Sequence, residues 1–404
     1  MNRKIQHTPE GVRDILNGEC RRKMALEQRI HEVFASFGCR DIETPSFEYF
    51  DVFGSTIGTT PSNELYKFFD RDGNTLVLRP DFTPSIARAA SRYYSESSEP
   101  IRLCYHGNTF VNHSSYRGRL KENTQMGVEL IGDGSAEADA EVVAMAIRTL
   151  LAAGLKEFQV SLGNVNFFRT LAESAGLDEN TSADLLELIR NKNSFGVWQL
   201  LTKVEVDAAA ASVFEKLPVL TGGREILDTA SEMISHTSAA EKTGKVLARL
   251  SRVMDLLSVY GLDQYVSIDL GMTSQFMYYT GIIFRGYTYG TGEAIIKGGR
   301  YDGLLEQFGK CSASIGFVAE ISGLMNALSR LGNREDGHNG TVLVLGLGED
   351  AESAIRLTDS LRREGKCAEL RILTSSLEDK GDDYYLSRGG YMKVIRTGDG
   401  EVRS

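Results

Sequence analysis

A helical stripe near the start is the first clear pattern in the sequence. Between residues 19 and 38, apolar side chains recur at three- and four-residue spacing, at Leu26, Ile30, Val33, Phe34 and Phe37. This spacing places them on one side of an α-helix. The sequence therefore predicts an amphipathic helix with one buried face.

After residue 38 the pattern changes to short apolar runs that are typical of strands. Segments such as "LVLRP" and "IRLCYHGNTF" are bounded by Gly, Pro and Asp. A second helix is predicted over residues 136–152, followed by the strand "EFQVSLG". Helical sequence then runs from about 167 to 260, and strands resume with "QYVSIDLGM" and end with "SASIGFVAEI". Strands interrupted by a helical insertion predict an α+β domain with an antiparallel sheet.

The polar segment "RLGNREDGHNG" marks a domain boundary. We expect a core over residues 1–332, with its helical insertion at about 167–260, and a small α/β domain over 340–404 that starts with "TVLVLGLGED". Those last 65 residues contain 10 Lys+Arg against 12 Asp+Glu, counted from the printed sequence. A basic face for nucleic acid is therefore not predicted.

Composition narrows the function classes. The net charge of −10 argues against a surface devoted to nucleic acid. The five cysteines form no CxxC pair and the six histidines show no metal spacing, so we expect neither a metal nor a cofactor, and a reducing compartment. The sequence shows no secretion signal and no apolar run that could cross a membrane, which predicts a cytoplasmic protein.

Residues 105–132, "YHGNTFVNHSSYRGRLKENTQMGVELIG", predict two strands joined by a polar loop. The loop carries Arg117, Arg119 and Lys121, as a hairpin that holds a phosphate would. However, the residue directly after Phe110, at the mouth of the loop, is the apolar Val111.

Several segments together resemble the catalytic core of class II histidyl-tRNA synthetases. They agree in order and spacing over about residues 8–330: "TPEGVRDIL", "RDIETPSFEYFDVF", "LRPDFTPSIARA", the hairpin, "MYYTGIIF" and "IIKGGRYDGL". The last of these is the most specific. The resemblance implies a class II synthetase-like antiparallel sheet flanked by helices. It also implies that the C-terminal segment is a shortened relative of the anticodon-binding domain.

The same resemblance indicates that synthetase catalysis is lost. The positions of three charge-stabilising arginines are occupied by Val111, Ser274 and Gly323, and an acidic position by His113. One preorganised donor of this kind typically contributes about 3 kcal/mol to transition-state stabilisation. We therefore expect no catalytic residues.

The amino-acid pocket of the family is better retained. The positions that the resemblance assigns to it are occupied by Asp81, Thr83, Arg119, Gln125, Glu129, Tyr278 and Tyr279. Asp81 is one methylene shorter than the usual glutamate, and Arg119 could equally be a solvated loop residue. The alternative is that Gln125 and Glu129 are locally satisfied strand residues and that the tyrosines belong to the core. Glu129 in an apolar strand would, however, be costly to bury without a cationic partner.

The segments "LCYHGNTF", "MYYTGIIFRGYTYGTGEAIIKGGRYDGLLEQFG" and "ASIGFVAEISGLMNAL" are more similar to the regulatory subunits of ATP phosphoribosyltransferase. That resemblance implies a non-catalytic protein that joins a short-form catalytic subunit in a hetero-oligomer. It would activate that subunit and mediate inhibition by histidine in the first step of histidine biosynthesis. The region of Pro45 resembles the dimer-forming motif, so we also expect self-association, and no binding of tRNA or membrane. The alternatives are a degenerate but active synthetase or related amide-forming ligase, and a tRNA-sensing module.

Overall fold

The computed structural model describes residues 6–54, 60–113, 119–273, 278–331, 340–347, 351–374, 379–398 and 401–403. The chain divides into two compact units. The larger comprises Met1–Arg13 and Leu26–Gly332, and the smaller comprises Asp14–Ala25 and Asn333–Ser404. The domain limits inferred from the sequence differ from this division at residues 14–25, and they stay a prediction.

Ten helices precede the last segment in the described part of the chain. They are α1 (Asn17–Ser36), α2 (Thr83–Tyr93), α3 (Ala136–Ala153), α4 (Val165–Ser174), α5 (Glu179–Arg190), α6 (Ser194–Leu201), α7 (Ala208–Lys216), α8 (Glu225–Ile234), α9 (Ala240–Val259) and α10 (Ile321–Arg330). None of the helices in the described ranges is both long and apolar enough to cross a membrane.

The strands of the larger unit form two sheets. They are β1 (Arg40–Asp41), β2 (Phe47–Tyr49), β3 (Lys67–Phe69), β4 (Thr75–Leu78), β5 (Ile101–Phe110), β6 (Glu122–Ile131), β7 (Phe158–Asn164), β8 (Thr221–Gly222), β9 (Val266–Asp269), β10 (Ile282–Thr288), β11 (Ile296–Arg300) and β12 (Ser314–Glu320). The large sheet has the order β1-β5-β6-β12-β11-β10-β7-β9-β8, and a small one has the order β2-β4-β3.

The predicted α+β class is confirmed, and most neighbouring strands of the large sheet are antiparallel. Two pairs, β1 with β5 and β7 with β9, are parallel, which the sequence pattern did not indicate. The predicted hairpin is also confirmed, because β5 and β6 pair from Ile101 opposite Ile131 to Phe110 opposite Glu122.

One face of the large sheet is packed against helices. The predicted stripe of α1 is buried at Leu26, Ile30 and Phe34, and the Phe34 ring meets that of Phe317 at 5.8 Å between centroids. The apolar side chains of β6, including Met126, join the same core, together with most of α3. Since side chains alternate along a strand, the residues between these apolar ones face the other side of the sheet.

The smaller unit has its own sheet and helices. Its elements are β13 (Val342–Leu347), α11 (Ala351–Arg363), β14 (Ala368–Leu373), α12 (Asp382–Ser387), β15 (Lys393–Gly398) and β16 (Glu401–Arg403). Strand β13 lies between β14 and β15 and is parallel to both. Val342 and Val344 pack with Ala354 of α11, while Leu343 packs with Tyr385 of α12. Helices thus cover both faces of this α/β sheet.

Candidate functional site

The sheet face opposite helices α1 and α3 carries polar side chains, and strands β6, β11 and β12 contribute to it. Residues directly opposite one another in neighbouring strands project to the same side. Gln125 lies opposite Glu320, and Glu129 lies opposite Gly316, which in turn lies opposite Gly299. We call this surface the polar face; its members are Gln125, Gly127, Glu129, Lys297, Gly299, Gly316 and Glu320.

Three glycines make room for the larger side chains of the polar face. A Cβ on Gly316 would lie 1.7 Å from Oε2 of Glu129, and one on Gly127 would lie 2.3 Å from Oη of Tyr105. A Cβ on Gly299 would lie 2.7 Å from a ring carbon of Tyr279. Gly299 belongs to the "GGR" segment, which lies in strand β11 rather than in a turn. The glycines therefore allow polar and aromatic groups to lie directly on the backbone of the sheet.

Glu129 is the most deeply buried acid of the polar face, with 2% of its surface exposed. Thr83 Oγ1 donates a hydrogen bond to its Oε1 at 2.9 Å, and the hydroxyl of Tyr301 donates to its Oε2. Among the described residues, hydroxyl groups rather than a cation hold this carboxyl group. Burial consequently raises the pKa of Glu129 to about 8. From the sequence, burial of Glu129 was expected to be costly without a cation. Hydroxyl donors and a raised pKa lower that cost instead.

Asp81 and Thr83 lie where the chain enters helix α2. Oδ1 of Asp81 accepts a hydrogen bond from the Thr83 amide at 3.2 Å. The negative charge of Asp81 contributes to the raised pKa of both Glu129 and Glu320, after the larger effect of burial. These three carboxyl groups therefore interact electrostatically across one small region.

Tyr278 and Tyr279 line the same region. Their ring centroids are 4.7 Å apart, and the Tyr278 ring meets that of Tyr301 edge-on at 6.0 Å. Burial raises the pKa of each of these phenols, so the hydroxyl groups stay neutral at physiological pH. Tyr105, whose ring stacks on Phe82 at 4.5 Å, is affected in the same way.

Gln125 contacts an acid that the sequence analysis missed. Its Nε2 donates to Oε1 of Glu320 at 3.1 Å, and Nζ of Lys297 lies 3.7 Å from the same oxygen. Burial raises the pKa of Glu320. An acidic residue at the end of the otherwise apolar run "SIGFVAE" was the available signal. Tyr301, inside the "GGRYDG" segment, was missed as well.

Arg119 has a different environment from the other pocket candidates. Its Nε donates to Oε1 of Glu293 at 3.0 Å, and 42% of its side chain is exposed. Arg117 lies outside the described residues. The assignment of Arg119 to an amino-acid pocket stays a prediction, as do the roles of the other six residues.

Val111 and Gly323, at two of the arginine positions, and His113, at the acidic position, contact residues of this chain. The Val111 amide donates to the carbonyl of Lys121 at 2.9 Å, and Nδ1 of His113 lies 3.3 Å from Oε2 of Glu64. Gly323 is in helix α10, where an added Cβ would lie 3.2 Å from Ile295. Ser274 lies outside the described residues. Neither Val111 nor Gly323 carries a charge that could bind a phosphate.

Arg300 of the "GGRYDGL" segment has a structural role. It is 3% exposed, and its Nε donates to Oδ1 of Asp139 at 2.8 Å. Arg249 donates to Oδ2 of the same carboxylate at 2.7 Å. Asp139 is fully buried near the start of α3, so these two arginines link α3 to β11 and α9.

One group of described residues has potential metal ligands close together, away from the polar face. The ligand atoms of His31, Asp41 and Cys104 lie within 4.8 Å of one another. They already bond to each other, His31 Nε2 to Asp41 Oδ1 at 2.7 Å and Cys104 Sγ to that oxygen at 3.4 Å. This hydrogen bonding accounts for the cluster without an ion.

Comparisons with known proteins identify the family. The family model described as histidyl-tRNA synthetase matches residues 11–324. ATP phosphoribosyltransferase regulatory subunits of Acetivibrio thermocellus and Ruminiclostridium cellulolyticum are each 38% identical to this chain, over 96% and 98% of it and 92% and 93% of their own lengths.

Solved structures give the same result. One described as an ATP phosphoribosyltransferase regulatory subunit/histidyl-tRNA synthetase from Bacillus halodurans is 32% identical, with a TM-score of 0.85 over 96% of this chain and 97% of that one. A histidyl-tRNA synthetase from Nostoc is 19% identical with a TM-score of 0.81, over 97% of this chain and 91% of that one, and shows the fold alone. The chain has the class II histidyl-tRNA synthetase-like fold and belongs to the family of ATP phosphoribosyltransferase regulatory subunits.

Proposed function

We propose that this protein activates a short-form catalytic subunit of ATP phosphoribosyltransferase and mediates its inhibition by histidine, without catalysing a reaction itself. The observation that carries the proposal is the contrast between two parts of the synthetase-like core. Asp81, Thr83 and Glu129 interact on the polar face, whereas Val111 stands at the hairpin mouth where a phosphate-binding cation would be needed.

The polar face has the chemistry that a histidine ligand requires. Asp81 offers a carboxylate to the ligand's ammonium group, and Glu129 with the tyrosine pair offers hydrogen-bonding partners to the imidazole. With a pKa of about 8, the Glu129 carboxyl group can either donate or accept a hydrogen bond near neutral pH. Neutral phenols do the same without introducing a fixed charge.

Inhibition requires only that histidine bind one state of the complex more tightly than another. A tenfold effect corresponds to about 1.4 kcal/mol of coupling free energy. A hydrogen bond to a charged group typically contributes about 1.5–3 kcal/mol. One contact on the polar face is therefore sufficient to carry the regulation.

The test is reconstitution with a short-form catalytic subunit. We expect the wild-type complex to be more active than the isolated catalytic subunit and to be inhibited by histidine. Glu129→Gln and Asp81→Asn should assemble but lose most of that inhibition, measured for each variant as the ratio of activity with and without histidine. Glu122→Gln, on the same strand β6 but bonded to Asn108 at 2.7 Å, is the matched control and should stay inhibited. Wild-type inhibition in both polar-face variants would show that histidine acts elsewhere.

Synthetase activity is tested separately. We expect no histidine-dependent ATP–pyrophosphate exchange, because Val111, Ser274 and Gly323 occupy the positions of the charge-stabilising arginines. Exchange above a protein-free blank that disappears in Asp81→Asn would instead support the degenerate-synthetase alternative.

Self-association is the third part of the proposal, with a dimer as the smallest unit. The region of Pro45 resembles the dimer-forming motif, and strand β2 exposes Phe47 at 51% and Tyr49 at 58%. Phe68 of β3 lies against Phe47 at 5.7 Å between ring centroids, which extends this exposed apolar surface. Light scattering at micromolar concentration should give the mass of a dimer. We also expect the protein to act in the cytoplasm and without tRNA.

A further inference from the structure

The part of the polar face around Gln125 holds two buried acceptors without donors. Oε1 of Gln125 and Oε2 of Glu320 are inaccessible to solvent and find no hydrogen-bond partner among the described residues. A buried polar group left unpaired typically costs about 1–3 kcal/mol. Two such atoms on side chains that touch each other therefore indicate a place where donors are to be supplied from outside.

The cation beside them is held loosely. Nζ of Lys297 lies 3.7 Å from Oε1 of Glu320, which is longer than a hydrogen bond, and the Lys297 side chain is 39% exposed while that of Glu320 is 16% exposed. The pair is an attraction between opposite charges rather than a fixed contact. A ligand carrying both charges can displace it at little cost.

A second cation stands next to Lys297. Arg285 of β10 lies directly opposite Lys297 of β11, so both side chains project to the polar face. Nη2 of Arg285 donates to the carbonyl of Thr273 at 2.6 Å, which restrains the guanidinium group. The polar face thus has acceptors at Gln125 and Glu320 and, beside them, cations at Lys297 and Arg285.

We propose that these four residues bind the zwitterionic backbone of an α-amino acid. Gln125 and Glu320 accept hydrogen bonds from its ammonium group, alongside the Asp81 carboxylate of the proposed function, and Lys297 with Arg285 binds its carboxylate. This inference rests on the proposed function, which places an amino acid on the polar face, and it adds the contacts that separate an amino acid from an amine or an acid. The ligand's ammonium group takes the place of Lys297 beside Glu320, and its carboxylate takes the place of Glu320 beside Lys297.

The arrangement also supplies positive charge where the synthetase resemblance places a charge-stabilising arginine at position 274. Ser274 has no charge to offer a carboxylate. Lys297 and Arg285 supply it from neighbouring strands instead. The acidic side chains of Asp81, Glu129 and Glu320 share this region and offer no positive charge to a phosphate ligand.

The test is calorimetric titration of the full chain, alone and in the reconstituted complex, with three ligands. L-histidine has both charged groups, histamine lacks the carboxylate, and imidazolepropionate lacks the ammonium. Lys297→Met should weaken L-histidine binding about tenfold and leave histamine binding unchanged, because the lost contact is to the carboxylate. Glu320→Gln should weaken L-histidine and histamine by about tenfold and spare imidazolepropionate.

The matched controls are Lys245→Met and Glu241→Gln, which break an exposed pair of the same kind in helix α9 and should change no affinity. Circular dichroism verifies folding, and Lys297→Gln replaces Lys297→Met if the latter does not fold. Wild-type affinities in both polar-face variants, with binding still lost in Glu129→Gln, would overturn this inference and leave the proposed function standing. If the wild-type chain binds none of the three ligands in either form, the histidine-binding function itself is wrong.

Discussion

Buried carboxylates are held in two opposite ways, one in helix α3 and the other on the polar face of the large sheet. Asp139 is fully buried and contacts two arginines, Arg300 and Arg249, at hydrogen-bond distance. Glu129 and Glu320 of the polar face contact hydroxyl groups, an amide and one distant lysine. Two arginines therefore fix the carboxylate of Asp139. Glu129 and Glu320 of the polar face have mainly uncharged partners instead.

The two kinds of buried carboxyl group also differ in how the cost of burying their charge is met. Breaking a buried ion pair by removing one partner is strongly destabilising, since a buried charge is left uncompensated. A buried carboxyl group without a cation instead takes up a proton, as the raised pKa of Glu129 shows. The first arrangement stabilises the fold, and the second makes the charge of the carboxyl group depend on pH near neutrality.

The largest expected effect is at Asp139. Asp139→Asn leaves Arg300 buried without its counter-charge and should lower the free energy of unfolding by about 3–5 kcal/mol. Urea denaturation followed by the fluorescence of Trp198, the single tryptophan, measures it. Glu137→Gln, two residues earlier on α3 in an exposed pair with Arg252, is the control and should change little. Equal stability of both variants would remove the distinction between the two clusters.

Gly316→Ala should have the next largest effect. Its Cβ would lie 1.7 Å from Oε2 of Glu129 and 2.4 Å from the Val128 carbonyl, so both the side chain and the backbone must shift. Forcing a methyl group into a packed site typically costs about 1–3 kcal/mol. The same denaturation assay detects the loss, and Gly244→Ala, where nothing lies near the added Cβ, is the control. Combining Gly316→Ala with Glu129→Ala should recover part of the loss; no recovery would mean that the strain lies in the backbone alone.

The third prediction concerns pH. The pKa of Glu129 is raised from 4.5 to about 8 in the folded chain, so the folded state keeps a proton that the unfolded state releases between these values. Stability contributed by this group therefore falls as pH rises through that window, by about 1.4 kcal/mol per pH unit. The difference in unfolding free energy between Glu129→Gln and wild type, measured at pH 5, 6, 7 and 8, should grow with pH in favour of the variant. Parallel pH curves would show that Glu129 is ionised in the fold.

The smallest effect is expected at Glu320. Glu320→Gln removes a buried carboxylate whose nearest cation is 3.7 Å away, and should change the free energy of unfolding by less than about 1 kcal/mol in either direction. Thermal denaturation without ligand measures this. A loss as large as that of Asp139→Asn would place Glu320 with the structural carboxylates and against a role in ligand binding.

Much of the fold could be predicted from local sequence. The stripe of Leu26, Ile30 and Phe34 is buried as its spacing indicates, and the two strands on either side of Val111 pair as a hairpin. Helical and strand periodicity act over a few residues, so one sequence is enough to detect them. The parallel pairing of β1 with β5 could not be detected in this way, because pairing between distant strands depends on topology.

Several candidate site residues could be identified from the sequence because they lie in short, specific segments. Asp81 and Thr83 are in "RPDFT", and Tyr278 and Tyr279 are in "YYTG". These segments specify residue types but not contacts. The exposed pairing of Arg119 with Glu293, 174 residues further along the chain, has no local signal.

By itself the sequence determined the α+β class, the family and the retained and lost positions, since these depend on local patterns and matching segments. The tertiary structure alone decided which of those residues are in contact and how deeply they are buried. Glu129 meets Tyr301 across 172 residues, and Gln125 meets Glu320 across 195, because β6 and β12 are neighbours in the sheet while far apart in the chain. Burial then raises the pKa of both acids. Burial and strand neighbours are properties of the folded sheet, which no local pattern contains.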